Sequence, residues 1–189
     1  MVASLGGFGW RSWDYSKIFL DEETLWENVS TVNKRSYRAF ANLAALANNH
    51  GQPETALKLI ERSLAMRPQY LEGMVIKGYA LDLMEKPVET AALYRKALAS
   101  DPRNAVWLFL LAGNLERSKN FSEAEAVFDE ITRVQPGYVA ARLAAGLLAA
   151  QMGQLEKATS HWRAGQAIAP ENTVARHNLE LLSRQTTRP

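Results

Sequence analysis

The sequence predicts an all-α repeat protein, and two observations carry that prediction. Pro68, Pro102, Pro136 and Pro170 follow one another at steps of 34 residues, and they are four of only seven prolines in a chain of 189. A fixed period of that length is the mark of a repeat architecture in which one supersecondary unit is copied along the chain. The same step is kept by large apolar residues, Ile60, Tyr94, Phe128 and Trp162, eight positions before each proline. Four residues earlier stand Ala56, Thr90, Ala124 and Ala158, with Thr90 the one departure from alanine. Four residues are about one helical turn, so the small and the large residue share a face. The small one admits a neighbouring backbone and the large one fills the space beside it.

The elements can be justified in order. Residues 1–20 lie outside the period and contain the large aromatics Phe8, Trp10, Trp13 and Tyr15. Within 21–36, Asp21-Glu-Glu-Thr-Leu-Trp26 reads as the start of a second-type helix, because Trp26 falls one period before Ile60. Asp21 is placed to cap it, and Glu22 and Glu23 suit its positive end. Between this point and residue 172 the chain alternates two helical patterns. The first helices carry Leu43-Ala44, Lys77-Gly78, Leu111-Ala112 and Ala145-Gly146, followed by Ala47, Leu81, Leu115 and Ala149. The turns after them end in second helices that open with proline or an acidic residue, as in Gly51-Gln-Pro-Glu and Gly153-Gln-Leu-Glu. Thr173–Arg184 repeats the first-helix pattern without a second helix after it, and so reads as a cap over the last repeat's apolar face.

This set of residues resembles the tetratricopeptide repeat, a 34-residue pair of antiparallel helices. The resemblance implies a right-handed α-solenoid with four full units at 37–70, 71–104, 105–138 and 139–172, preceded by a degenerate half-repeat at 21–36 and followed by a capping helix and tail at 173–189. Glu85 and Lys119 depart from the family's usual glycine in the turn, Lys77 from its leucine and Arg142 from its opening aromatic residue.

Composition excludes several kinds of chemistry. There is no cysteine, hence no disulfide, thiol nucleophile or cysteine-held metal. A net charge of +2, with 22 basic and 20 acidic residues, does not favour a polyanion as the ligand. Lys34, Arg35 and Arg38 form a short basic cluster that could meet phosphate or an acidic peptide, but the first helices lack a recurring polar set of the kind that reads bases, so no nucleic acid is expected. His50, His161 and His177 have no metal-ligand spacing and are expected to be structural or surface residues. Gly6-Gly-Phe-Gly9 follows no strand and opens no phosphate-binding helix. Asn28-Val-Ser30 and Asn120-Phe-Ser122 match the glycosylation triplet, which is short enough to arise by chance. No nucleophile, base and orienting group come together. The expectation is a protein without catalytic residues, metal or cofactor.

Function is expected on the wall that the resemblance assigns to the first helices. The positions it places there include Arg38, Ala41 and Asn42 in the first unit and Val75, Ile76 and Tyr79 in the second. The third contributes Val106, Phe109 and Leu110, and the fourth Leu143 and Leu147. This wall lacks the lysine, asparagine and arginine clamp with which chaperone-binding members hold a terminal carboxylate. Its apolar stretch implies an occupant, a protein or peptide partner, unless some of these side chains pack between adjacent first helices. A second, shorter resemblance covers residues 10–47. Trp10-Arg-Ser-Trp13, Thr24-Leu-Trp26 and Ser36–Leu43 are similar to the junction where bacterial multi-pass membrane proteins of the mannosyltransferase-like type pass into a C-terminal repeat domain. It implies a bacterial membrane-associated or periplasmic setting, in preference to the cytoplasm, as a subunit of a membrane complex. The aromatic segment with Phe8, Trp10, Trp13 and Tyr15 would then adjoin lipid, or otherwise dock on a partner or a second copy of the chain.

Overall fold

A computed structural model describes residues 22–186. Among them are ten α-helices and no strand: α1 (Glu22–Val32), α2 (Tyr37–Asn49), α3 (Pro53–Met66), α4 (Leu71–Leu83), α5 (Pro87–Leu98), α6 (Ala105–Arg117), α7 (Phe121–Val134), α8 (Val139–Gln151), α9 (Leu155–Ile168) and α10 (Thr173–Thr186). Asp21 and the aromatics Phe8, Trp10, Trp13 and Tyr15 lie outside the described residues. The chain divides into two compact units, 1–93 and 94–189, with the division inside α5.

Several helix starts follow from their local sequence. Ser36 Oγ accepts the Ala39 amide at 3.3 Å to cap α2, and Asn104 Oδ1 accepts the Trp107 amide at 3.1 Å to cap α6. Asn172 Oδ1 accepts the amides of Val174 and Ala175, both at 3.1 Å, at the start of α10. Pro53 and Pro87 open α3 and α5, where the missing N–H costs nothing.

The first helices α2, α4, α6 and α8 all end in one turn. The amides of Gln52, Lys86, Asn120 and Gln154 reach back five residues to the carbonyls of Ala47, Leu81, Leu115 and Ala149, at 2.8, 2.9, 2.9 and 2.8 Å. This closure requires a left-handed residue just before the donor. The residue is Gly51 at φ 69°, Glu85 at φ 57°, Lys119 at φ 62° and Gly153 at φ 76°. The departures from glycine noted in the sequence therefore keep the turn at a steric cost on Cβ rather than changing it.

In unit 1, α1 packs on α2, α2 on α3 and α3 on α4, while α2 also touches α4. Ala41, Ala44, Ala47, Ala56, Ile60 and Ala80 form the core, and Leu57, Leu59, Leu64, Tyr70 and Ile76 close around it. Thr90 is fully buried. Its hydroxyl donates to the carbonyls of Lys86 at 3.0 Å and Gly78 at 3.3 Å, so the one departure from alanine satisfies its own polar atom across the α4–α5 contact. Lys77, at the family's leucine position, reaches Glu61 on α3 at 2.8 Å.

In unit 2, α6 packs on α7, α7 on α8, α8 on α9 and α9 on α10. Tyr94, Phe128 and Trp162 are buried, as are Ala124 and Ala158. The reason for the small residue is visible at Gly146: a Cβ built there would lie 2.3 Å from Trp162 Nε1. That indole nitrogen donates to the Leu143 carbonyl at 3.3 Å. α10 packs on α9, and its Ala175 is fully buried in one cluster with Ala149, Ala158 and Trp162.

Two stability predictions follow from these contacts. Trp162→Ala should destabilise by about 3–5 kcal/mol as a large-to-small core change, read by urea unfolding; a midpoint equal to wild type would refute the register. Glu85→Gly and Lys119→Gly should each raise stability by about 0.5 kcal/mol, because relief of left-handed strain outweighs the added freedom of the unfolded chain. Loss of stability in both would mean that side-chain contacts at these turns outweigh the backbone term.

Candidate functional site

The residues expected on the wall divide, in each unit, into those that face solvent and those already committed to packing. In unit 1, α2 carries Arg38 and Asn42, and α4 carries Val75, Ile76 and Tyr79. Arg38 is exposed and Tyr79 keeps 37% of its surface open, whereas Asn42 and Val75 are half-buried. Ile76 packs on the unit 1 core and its carbonyl accepts the Asn48 side-chain amide at 3.1 Å. Ala41 is fully buried and belongs to the unit 1 core, so it is not on an open wall.

In unit 2, α6 carries Val106, Phe109 and Leu110, and α8 carries Leu143 and Leu147. Val106 and Leu147 are 56% and 44% exposed. Phe109 instead meets Phe128 edge-on, with ring centroids 6.1 Å apart, and Tyr138 at 5.5 Å. Leu110 is half-buried, and Leu143 packs on the cluster around Trp162. The solvent-facing set is therefore Arg38, Tyr79, Val106 and Leu147, and the others are half-buried or packed.

Three features were not foreseen from sequence. A groove of about 510 Å³ runs between α9 and α10, lined by Leu155, Thr159, Arg163, Leu179 and Leu182 among others. At the start of unit 1, Arg38 and Arg67 both donate to the Tyr37 hydroxyl, Arg38 Nε from 3.2 Å. Tyr37 in turn meets Tyr70 edge-on at 5.0 Å. The third feature is a polar cluster on the second helices of unit 2. Lys157 Nζ on α9 bridges Glu125 Oε1 and Asp129 Oδ2 on α7, both at 2.9 Å. His161, one turn along, lies 3.9 Å from Asp129 Oδ1. The period could have flagged it, since residues near one repeat apart on second helices face each other.

His161 is the one histidine described as buried, while His50 and His177 are exposed. Among the described residues no group of three or more potential ligands could hold a metal. Burial holds the His161 pKa below its ordinary value; Asp129 and Glu125 oppose this, and Lys157 and Arg142 add to it. The folded protein thus keeps a neutral imidazole where the unfolded chain would take up a proton. Stability is intact above the unfolded value of 6.5 and is lost as pH falls through it toward the lower folded value. Melting temperature should therefore decline below about pH 6.5, and His161→Gln should flatten part of that decline. Identical slopes for the two proteins would remove His161 as its cause.

Two tetratricopeptide repeat profiles match the chain, one over residues 41–105 and the other over 83–142, so that together they take in more than half of it. The chain belongs to the tetratricopeptide repeat family. Cellulose synthase operon protein C of Pseudomonas fluorescens (strain SBW25) is 29% identical over 148 residues, which cover 74% of this chain and 12% of that protein. The human protein O-mannosyl-transferase TMTC3 is 25% identical over 119 residues, covering 62% of this chain and 13% of that protein. The chain thus spans a small fraction of the curated relatives it matches. Among solved structures, YrrB, described as a tetratricopeptide repeat protein with an unusual peptide-binding site, superposes with a TM-score of 0.68 at 18% identity, over 84% of this chain and 81% of its own. That likeness supports the all-α repeat architecture.

Proposed function

We propose that the protein is a non-catalytic scaffold that binds a protein or peptide partner through the outward residues of its first helices. The observation that carries this reading is the exposure of Tyr79, Val106 and Leu147 on first helices whose inner residues are already packed. Apolar side chains held in water on a rigid base gain most from being covered. The chain's membership of a family of interaction repeats, and the peptide-binding site named for YrrB, agree with it. Phe109 and Leu143 are held by packing beneath this surface, as is Ile76 in unit 1.

The test uses the exposed positions, because a charge at half-buried Phe109 would disturb the fold itself. Partners recovered with wild-type protein from cells that make it should be lost or weakened at least about tenfold in titration with Tyr79→Glu or Val106→Glu/Leu147→Glu, with helicity unchanged. Equal binding by the variants would move function off the first helices.

A second reading is favoured by the two curated relatives, a cellulose synthase operon protein and a protein O-mannosyl-transferase. On it the chain is an accessory domain of a membrane glycan-processing system, with Trp10, Trp13 and Tyr15 next to lipid. Among the described residues no helix is long and apolar enough to cross a membrane. Recovery of the partner from the membrane fraction, dependent on residues 1–16, would favour this reading; recovery from the soluble fraction without them would favour the first.

A further inference from the structure

The cluster of Tyr37, Arg38, Arg67 and Tyr70 holds two guanidinium groups that are not ion-paired with a carboxylate among the described residues. Tyr37 opens α2, Arg67 ends α3 and Tyr70 precedes α4. Pro68 holds Arg67 in an extended conformation, φ −140° and ψ 86°, which turns the chain out of α3 and leaves the Arg67 side chain over the tyrosines. The base of the cluster is fixed: Ser63 Oγ donates to the Tyr37 carbonyl at 2.7 Å, and the Tyr70 amide donates to the Arg67 carbonyl at 3.1 Å. The Arg67 guanidinium lies 5.0 Å from the Tyr37 ring centroid and 5.9 Å from that of Tyr70, and the Arg38 guanidinium lies 5.8 Å from Tyr37.

Both guanidinium groups donate to the same phenol oxygen, so two positive charges are brought close together. Among the described residues neither is ion-paired with a carboxylate; Glu72 acts on Arg38 only at longer range. Each guanidinium has five N–H donors and spends one on Tyr37, which leaves both forks with donors to spare. A phenol that accepts from two cations also has its own proton free to give. Like charges held together by a neutral group, with unspent donors around them, are stabilised by an oxyanion that accepts from both.

We propose that Arg38, Arg67 and the Tyr37 hydroxyl form a seat for an oxyanion, a carboxylate or phosphate group displayed by the bound partner. The seat differs from the family's clamp on the first-helix wall, because Arg67 comes from the end of a second helix and the two tyrosines aim the arginines. That the anion is carried by a partner rests on the scaffold reading above; the seat itself does not. It gives unit 1 a polar anchor for a partner, and it assigns the basic cluster at Arg38 to anion recognition by geometry as well as by charge.

The experiment observes the arginine Nε–H signals of the full chain by nuclear magnetic resonance during titration with three probes: inorganic phosphate, a capped tetraglutamate peptide and its tetraglutamine counterpart. The Arg38 and Arg67 signals should shift saturably with phosphate or tetraglutamate and not with tetraglutamine. The stronger of the two anionic responses names the source. Arg38→Gln or Arg67→Gln should weaken binding at least about fivefold, with the remaining amide spectrum unchanged, and Arg67→Lys should fall between because it keeps charge without the fork. Non-saturating shifts, equal response to tetraglutamine, or unchanged affinity in both glutamine variants would overturn the seat. None of these outcomes depends on Tyr79, Val106 or Leu147, so this test and the scaffold test can fail separately.

Discussion

The structure depends on one steric pairing, a small residue on one helix against a large ring or branched chain on its neighbour. Gly146 and Trp162 show its tolerance most sharply, because one added carbon would collide with the indole. Alanine or glycine at 44, 78, 112 and 146 lets helices cross closely, and every one of these residues is buried. Ala44 and Ile60 share the unit 1 core in the same sequence relation, 16 residues apart, so the position recurs with a different large residue. Trp162 adds a hydrogen bond to the Leu143 carbonyl, which an aliphatic residue at that position cannot supply.

Once helices are held that closely, the turns between them have little freedom. The left-handed residue at 51, 85, 119 and 153 is required by the closing hydrogen bond whether or not glycine supplies it. Glutamate and lysine at 85 and 119 show that packing on either side of a turn can impose a conformation that local preference disfavours. Thr90 makes a related point within a helix, where its hydroxyl is accommodated because two carbonyls are within reach.

Most of the architecture was legible in the sequence because burial follows the period. The prolines fixed the register, and the residues eight and twelve positions before them are buried where the structure describes them. Legibility ended where a contact depends on what lies across from a helix. A wall position identifies a direction from the axis, but not the ring of Tyr138 that meets Phe109 from the far end of the same repeat. Likewise Arg67 and Tyr37 are 30 positions apart and share no motif. Lys157 and Asp129 are 28 apart, as are Arg95 and Glu123, both pairs joining successive second helices. That recurrence is a usable rule: opposite charges somewhat less than one period apart on second helices pair across the repeat boundary.

These charge pairs also bear on where binding energy is available. In unit 2 the second helices answer their own charges: Glu123 meets Arg95, and Glu125 and Asp129 share Lys157. Each exposed pair contributes little to stability, about 0–1 kcal/mol, but it lowers the field that a partner would meet on that face. Other surface residues are in a different condition. Tyr79, Val106 and Leu147 have apolar surface in water, and Arg38 shares a phenol oxygen with Arg67 while neither has a carboxylate among the described residues. A partner that covers the first gains from desolvation, and one that supplies an anion to the second relieves repulsion. Both gains belong to complex formation rather than to folding.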